Sequence, residues 1–97
     1  MKGYVISEVE VRNEEQAAEY RRLAEASILE YGGRYIVRGA AADVVEGGAT
    51  GRRIVIVEFP SLARAREWYA SESYAKALTI RQSALDRRLT FVEGVMP

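Results

Sequence analysis

The residues most able to do chemistry lie between Glu58 and Arg81: Glu58-Phe59-Pro60-Ser61, then Trp68-Tyr69, Ser71, Tyr74 and Arg81. Here an apolar strand ends on a carboxylate, and two helical segments follow with aromatic rings and an arginine on their inner faces. A carboxylate against apolar cover has a raised pKa and can act as general acid or base, which makes Glu58 the candidate catalytic residue. A guanidinium stays charged and is costly to bury alone, so Arg81, phased onto an apolar stripe, must meet a carboxylate, backbone carbonyls or an anionic ligand. Trp68 and Tyr74 would wall such a pocket, while Tyr69 at helical spacing reads as core.

Two readings stay open. In one, Arg81 anchors a small organic acid and Glu58 transfers protons, with Arg38 as a further ligand contact. In the other, the chain is a non-catalytic homodimer and Arg81 forms an internal ion pair with Glu58 or Glu8. Glu58, Glu8 and Arg38 could converge at one end of the sheet. Strict strand alternation would place Arg34 and Arg38 on one face, as an anion site or a dimer-interface pairing. An unpaired Arg81 or Glu58 in an enclosed cavity favours the first reading; a filled, fully paired site favours the second.

Composition narrows the chemistry. The 97 residues include no His and no Cys, which excludes thiolate nucleophiles, His-assisted serine catalysis, disulfides and the usual zinc and haem ligand sets. No cofactor and no metal are therefore expected, and Ser71 and Ser73 read as helix caps, not nucleophiles. Fourteen basic residues balance fourteen acidic ones, which removes the electrostatic term that nucleic-acid binding needs. No apolar run is long enough to cross a membrane. Met1-Lys2 leads directly into Gly3-Tyr4-Val5-Ile6 with no resemblance to a secretion signal, so a cytoplasmic protein is expected.

The elements that would position these residues follow from pattern. Tyr4 to Val11 alternates, with Val5, Ser7, Val9 and Val11 on one face and Tyr4, Ile6, Glu8 and Glu10 on the other. Asn13 with Gln16 caps a helix over about Glu14 to Tyr31, whose stripe is Ala17, Tyr20, Ala24, Ile28 and Tyr31; Gly32-Gly33 stops it. A second strand starts at Arg34 and continues toward Val45, with Gly39 marking a bulge. Glu46-Gly47-Gly48-Ala49-Thr50-Gly51 is a turn. Arg53 to Phe59 is apolar on both faces and belongs inside a sheet covered on both sides. Ser61 caps a helix with the stripe Leu62, Ala65 and Tyr69, and a third helix runs from about Tyr74 to Asp86. Arg88 to Val95 is the last strand. Residues 1–97 thus form one domain, small enough that a partner chain would help to cover it.

Gly3-Tyr4, Tyr31-Gly32-Gly33-Arg34-Tyr35, Arg38-Gly39, Glu46-Gly47, Glu58-Phe59-Pro60-Ser61, Trp68-Tyr69, Ser71, Tyr74, Arg81 and Val92-Glu93-Gly94 agree in order and spacing with one family. On these motifs, over nearly the whole chain, the sequence resembles the bacterial domain-of-unknown-function family numbered 1330. Ala40-Ala41-Ala42 departs from it at a glycine-rich position. The resemblance implies an α+β, ferredoxin-like βαββαβ fold: a four-stranded antiparallel sheet with helices on one face, two copies pairing as a dimeric α/β barrel. Fold membership of this kind does not choose a function.

Overall fold

Alternation in the first strand sets the two faces of the sheet, and every later element takes its place from it. The computed structural model describes residues 1–96. Its elements are β1 (Gly3–Val11), α1 (Glu14–Glu30), β2 (Arg34–Ala41), β3 (Arg53–Phe59), α2 (Leu62–Tyr69), α3 (Glu72–Ala84) and β4 (Leu85–Glu93). The strands form one antiparallel sheet in the order β2-β3-β1-β4, which puts the doubly apolar β3 inside it. This is the α+β, ferredoxin-like arrangement.

Local signals explain the helix ends. Asn13, Ser61 and Ser71 each accept a backbone N–H three residues on, from Gln16, Arg64 and Tyr74, at 3.0, 3.1 and 3.1 Å. Gly32, at φ 77°, turns the chain out of α1 so that the Gly33 N–H reaches the Ile28 carbonyl at 2.9 Å. At Gly3 the reason for glycine is proximity. A Cβ there would lie 2.5 Å from the Leu62 backbone, so α2 sits directly on the start of β1.

The helices pack on the Val5 side. Val5, Val57 and Phe59 meet Ala17, Ala24 and Ile28 of α1, Ala65 and Trp68 of α2, and Tyr74 and Ala77 of α3, all buried. The chain is a slab only 15 Å through its shortest axis, one helix layer on one sheet. The opposite face presents Tyr4, Ile6, Ile54, Ile56, Val37 and Val92, which no helix among the described residues covers.

Three expectations are corrected. Strand β2 shifts register between Tyr35 and Val37 and again between Arg38 and Ala40, the second at Gly39 with φ 80°. Arg34 therefore pairs beside Glu58 and Arg38 beside Val55, on opposite faces, because each extra residue reverses the alternation. Tyr69 is not core: it is 41% exposed, and Ala65 and Trp68 form the buried stripe of α2. Finally, α3 ends at Ala84 and β4 begins at once. Leu85 is already extended, at φ −138° and ψ 147°, and pairs with Val11. The Ala84 carbonyl accepts from the N–H groups of Arg12 and Asn13 at 2.9 and 3.3 Å.

Candidate functional site

That early start of β4 puts Leu85, Arg87, Leu89 and Phe91 on the helix side, with Arg87 opposite Val9 and Leu89 opposite Ser7. Between this side of the sheet and the helices lies a cavity of about 350 Å³. Val5, Val9, Val55 and Leu89 make its floor, Ala24, Ile28 and Trp68 close it from the helices, and Tyr35 flanks it from β2. Four arginines (Arg21, Arg38, Arg53 and Arg87) line it against one acidic residue, Glu14. A chain of zero net charge thus carries a concavity lined by more cationic than anionic side chains.

Arg87 is the charge inside. Its two terminal nitrogens donate to the hydroxyls of Tyr20 at 2.6 Å and Tyr74 at 2.8 Å. It takes part in none of the ion pairs formed among the described residues. Two of its five N–H donors are used on the two phenols.

The two phenol oxygens are 2.5 Å apart, so one donates to the other. Burial first, and then Tyr20, push the Tyr74 hydroxyl up, so it keeps its proton. With Arg87 donating to both oxygens, two phenol protons share a single internal acceptor. Tyr74 is fully buried, and a stranded donor there would cost about 1–3 kcal/mol. The favourable arrangement has Tyr74 donating to Tyr20, a residue that lines the cavity, so that the Tyr20 proton is the one left outside the pair. Behind the wall, the Trp68 indole N–H donates to Ser27 Oγ at 3.0 Å, and that hydroxyl donates to the Ala24 carbonyl at 2.8 Å. Trp68 stacks on Tyr74 with centroids 4.1 Å apart.

The structure redistributes the residues singled out in the sequence. Trp68 lines the cavity, Tyr74 supports it from behind, and Arg38 stands at its edge, paired with Glu25 and lying over the Tyr35 ring at 4.3 Å. Arg81 is half-buried on α3, does not line the cavity and pairs with neither Glu58 nor Glu8. Glu58 points to the other face of the sheet. There it accepts from Arg34 Nε and from the Tyr4 hydroxyl, each at 3.0 Å. Glu8 shares that face but sits nearer the far end, beside Arg88 at 3.6 Å, so Glu58, Glu8 and Arg38 do not converge. Ser71 caps α3, whereas Ser73 instead donates to Glu30 at 2.8 Å.

The bonds from Arg34 and then Tyr4 hold the Glu58 carboxyl below the usual carboxylate range, opposite to the raised value expected of a general base. A group whose pKa is depressed on folding stabilises the fold above its unfolded pKa, and loses that contribution as pH falls through the folded value. Glu58→Gln is accordingly expected to be less stable than wild type at neutral pH. The gap should close on acidification, as followed by urea unfolding across a pH series. A gap independent of pH would show that charge is not the cause.

The fold is a ferredoxin-like α+β arrangement with an arginine-lined cavity between helices and sheet. The chain belongs to the family DUF1330, a domain of unknown function, whose model matches residues 2–95. Among solved structures it is similar to a protein of unknown function from Rhodopseudomonas palustris, at 23% identity and TM-score 0.80, covering 99% of this chain and 84% of that one. It is also similar in fold to SnoaB, a cofactor-independent oxygenase from Streptomyces nogalater. That match has 7% identity and a TM-score of 0.66, and covers 99% of this chain and 95% of that one. A dimeric protein of unknown function from Bacteroides fragilis with a ferredoxin-like fold matches at 11% identity and TM-score 0.56, covering 96% of each chain. Among curated proteins, none matches this sequence. Among the described residues, no helix is long and apolar enough to cross a membrane.

Proposed function

We propose that this protein is a cytoplasmic homodimer that binds a small, largely apolar organic acid in the cavity between helices and sheet. The observation that carries this reading is Arg87: a guanidinium that lines the cavity, held by two phenols and paired with no carboxylate among the described residues. Arg87 would take the acid group, Trp68 and Tyr35 would lie against the carbon skeleton, Tyr74 would fix Arg87, and Arg38 would guide anions at the edge.

The uncommitted Tyr20 proton favours acid/base chemistry on the bound acid. It lies beside the cation, where negative charge developing on a ligand oxygen is stabilised. No bound cofactor is required for such a step. Pairing of two copies is supported by the open sheet face, with Tyr4, Ile6, Ile54 and Ile56 across its centre, and by the dimeric fold neighbour. On this reading the Arg34–Glu58–Tyr4 cluster orders the interface.

A thermal-shift screen of small aliphatic and aromatic carboxylates, with the mass of the same sample measured by light scattering, tests both parts. Selective acids should raise the melting temperature by mass action, and the mass should be that of two chains. A flat screen would overturn the pocket reading, and a one-chain mass would overturn the dimer.

A further inference from the structure

One polar atom in the cavity has no explanation within the chain. Ser7 is 7% exposed and lines the cavity floor, and its Oγ is the buried side-chain polar atom left without a hydrogen-bond partner among the described residues. It stands in the strand face Val5, Ser7, Val9, Val11, with Val55 beside it on β3 and Leu89 beside it on β4. A buried hydroxyl without a partner is destabilising, and alanine would pack in a strand there without that cost. Water is a poor answer. A buried water needs two to four polar partners, and the side chains directly beside Ser7, those of Val55 and Leu89, are apolar.

Resting on the reading that Arg87 anchors an organic acid, we infer that the natural ligand carries a second oxygen function, a hydroxyl or a carbonyl, which bonds to Ser7 Oγ. Arg87 faces Val9 on the neighbouring strand, so it is the diagonal neighbour of Ser7. Diagonal positions of this kind lie roughly 7–8 Å apart at the backbone, and the arginine side chain spans part of that distance. A ligand with its acid group at Arg87 and a second oxygen a few bonds away can reach both. The serine hydroxyl donates and accepts, so it suits either function. Ser7 is thus a specificity-determining residue that separates substituted acids from plain ones.

The test is calorimetric binding of benzoate, 3-hydroxybenzoate and 4-hydroxybenzoate to wild type and to Ser7→Ala, with melting temperatures of both proteins. These acids place a hydroxyl at two distances from one carboxylate. At least one hydroxybenzoate should bind wild type about tenfold more tightly than benzoate does, the worth of one well-placed hydrogen bond. In Ser7→Ala that preference should fall to about one, with benzoate affinity unchanged and the melting temperature equal or higher. Equal binding of all three acids by wild type would overturn the inference, as would an undiminished preference in Ser7→Ala. So would a clear fall in the melting temperature of Ser7→Ala, since it would mean that the hydroxyl is satisfied inside the protein. If benzoate binds but Ser7 makes no difference, this inference fails alone. If no acid binds, the anchoring role of Arg87 fails with it.

Discussion

Arg87→Met is expected to weaken binding of small carboxylates by roughly 100-fold or more while leaving the fold as stable as wild type, or more stable. Truncating one partner of a hydrogen-bonded charge pair in a partly buried site costs on the order of 2–5 kcal/mol of binding, which sets the size of the loss. The stability half of the forecast rests on what Arg87 lacks. Its partners among the described residues are two phenols, and no carboxylate there returns the cost of desolvating the guanidinium. Methionine fills much of the same volume without a charge, and Tyr20 and Tyr74 keep their mutual bond. Arg87→Lys should fall between, because an ammonium keeps the charge but not the fork that holds both phenols. Calorimetry with benzoate and thermal unfolding of the three proteins decide the matter. A variant that melts many degrees lower yet binds as before would make Arg87 a structural brace and remove the anchor.

The sequence already contained the signs of this site, but they were spread over elements whose phase had to be known first. Arg87, and not Arg81, lines the cavity. Helical phasing carried through to Asp86 selects Arg81, whereas the chain leaves the helix at Ala84 and alternates from Leu85. Reading Leu85, Arg87, Leu89 and Phe91 as one strand face would have found Arg87. That choice depends on the pairing of Val11 with Leu85 and on the Arg12 and Asn13 bonds to Ala84, long-range contacts with no local signature. Ser7 was visible as a lone hydroxyl in a valine face, but its lack of a partner is a property of the packed interior. Tyr20 read as core, and it is buried; the contact of its hydroxyl with Tyr74, 54 positions on, has no local signature. Glu58 kept its strand-end place, and the double register shift in β2 gave it Arg34 on the face away from the cavity. Element order, sheet interior and helix caps rest on local chemistry, and these were legible.

The second large effect concerns the wall that holds the site open. Trp68 is 2% exposed and touches three aromatic rings, with centroid distances of 4.1 Å to Tyr74, 5.4 Å to Phe59 and 6.2 Å to Tyr69. Removing so large a buried side chain typically costs about 3–5 kcal/mol, because the transfer term and the new void add. A domain of this size has about 5–15 kcal/mol in total, so Trp68→Ala should lower the melting temperature by roughly 15 °C or more. Trp68→Phe separates packing from the hydrogen bond. It keeps a ring against Tyr74 and Phe59 but loses part of the indole's volume and the donation to Ser27 Oγ, whose own proton stays on Ala24, so about 1–2 kcal/mol should go. The ordering of the three proteins in denaturant unfolding is the measurement. A Trp68→Ala loss no larger than that of Trp68→Phe would mean that the neighbouring rings collapse into the void. Tyr74 would then move with them, and the grip on Arg87 that it shares with Tyr20 would not survive as described.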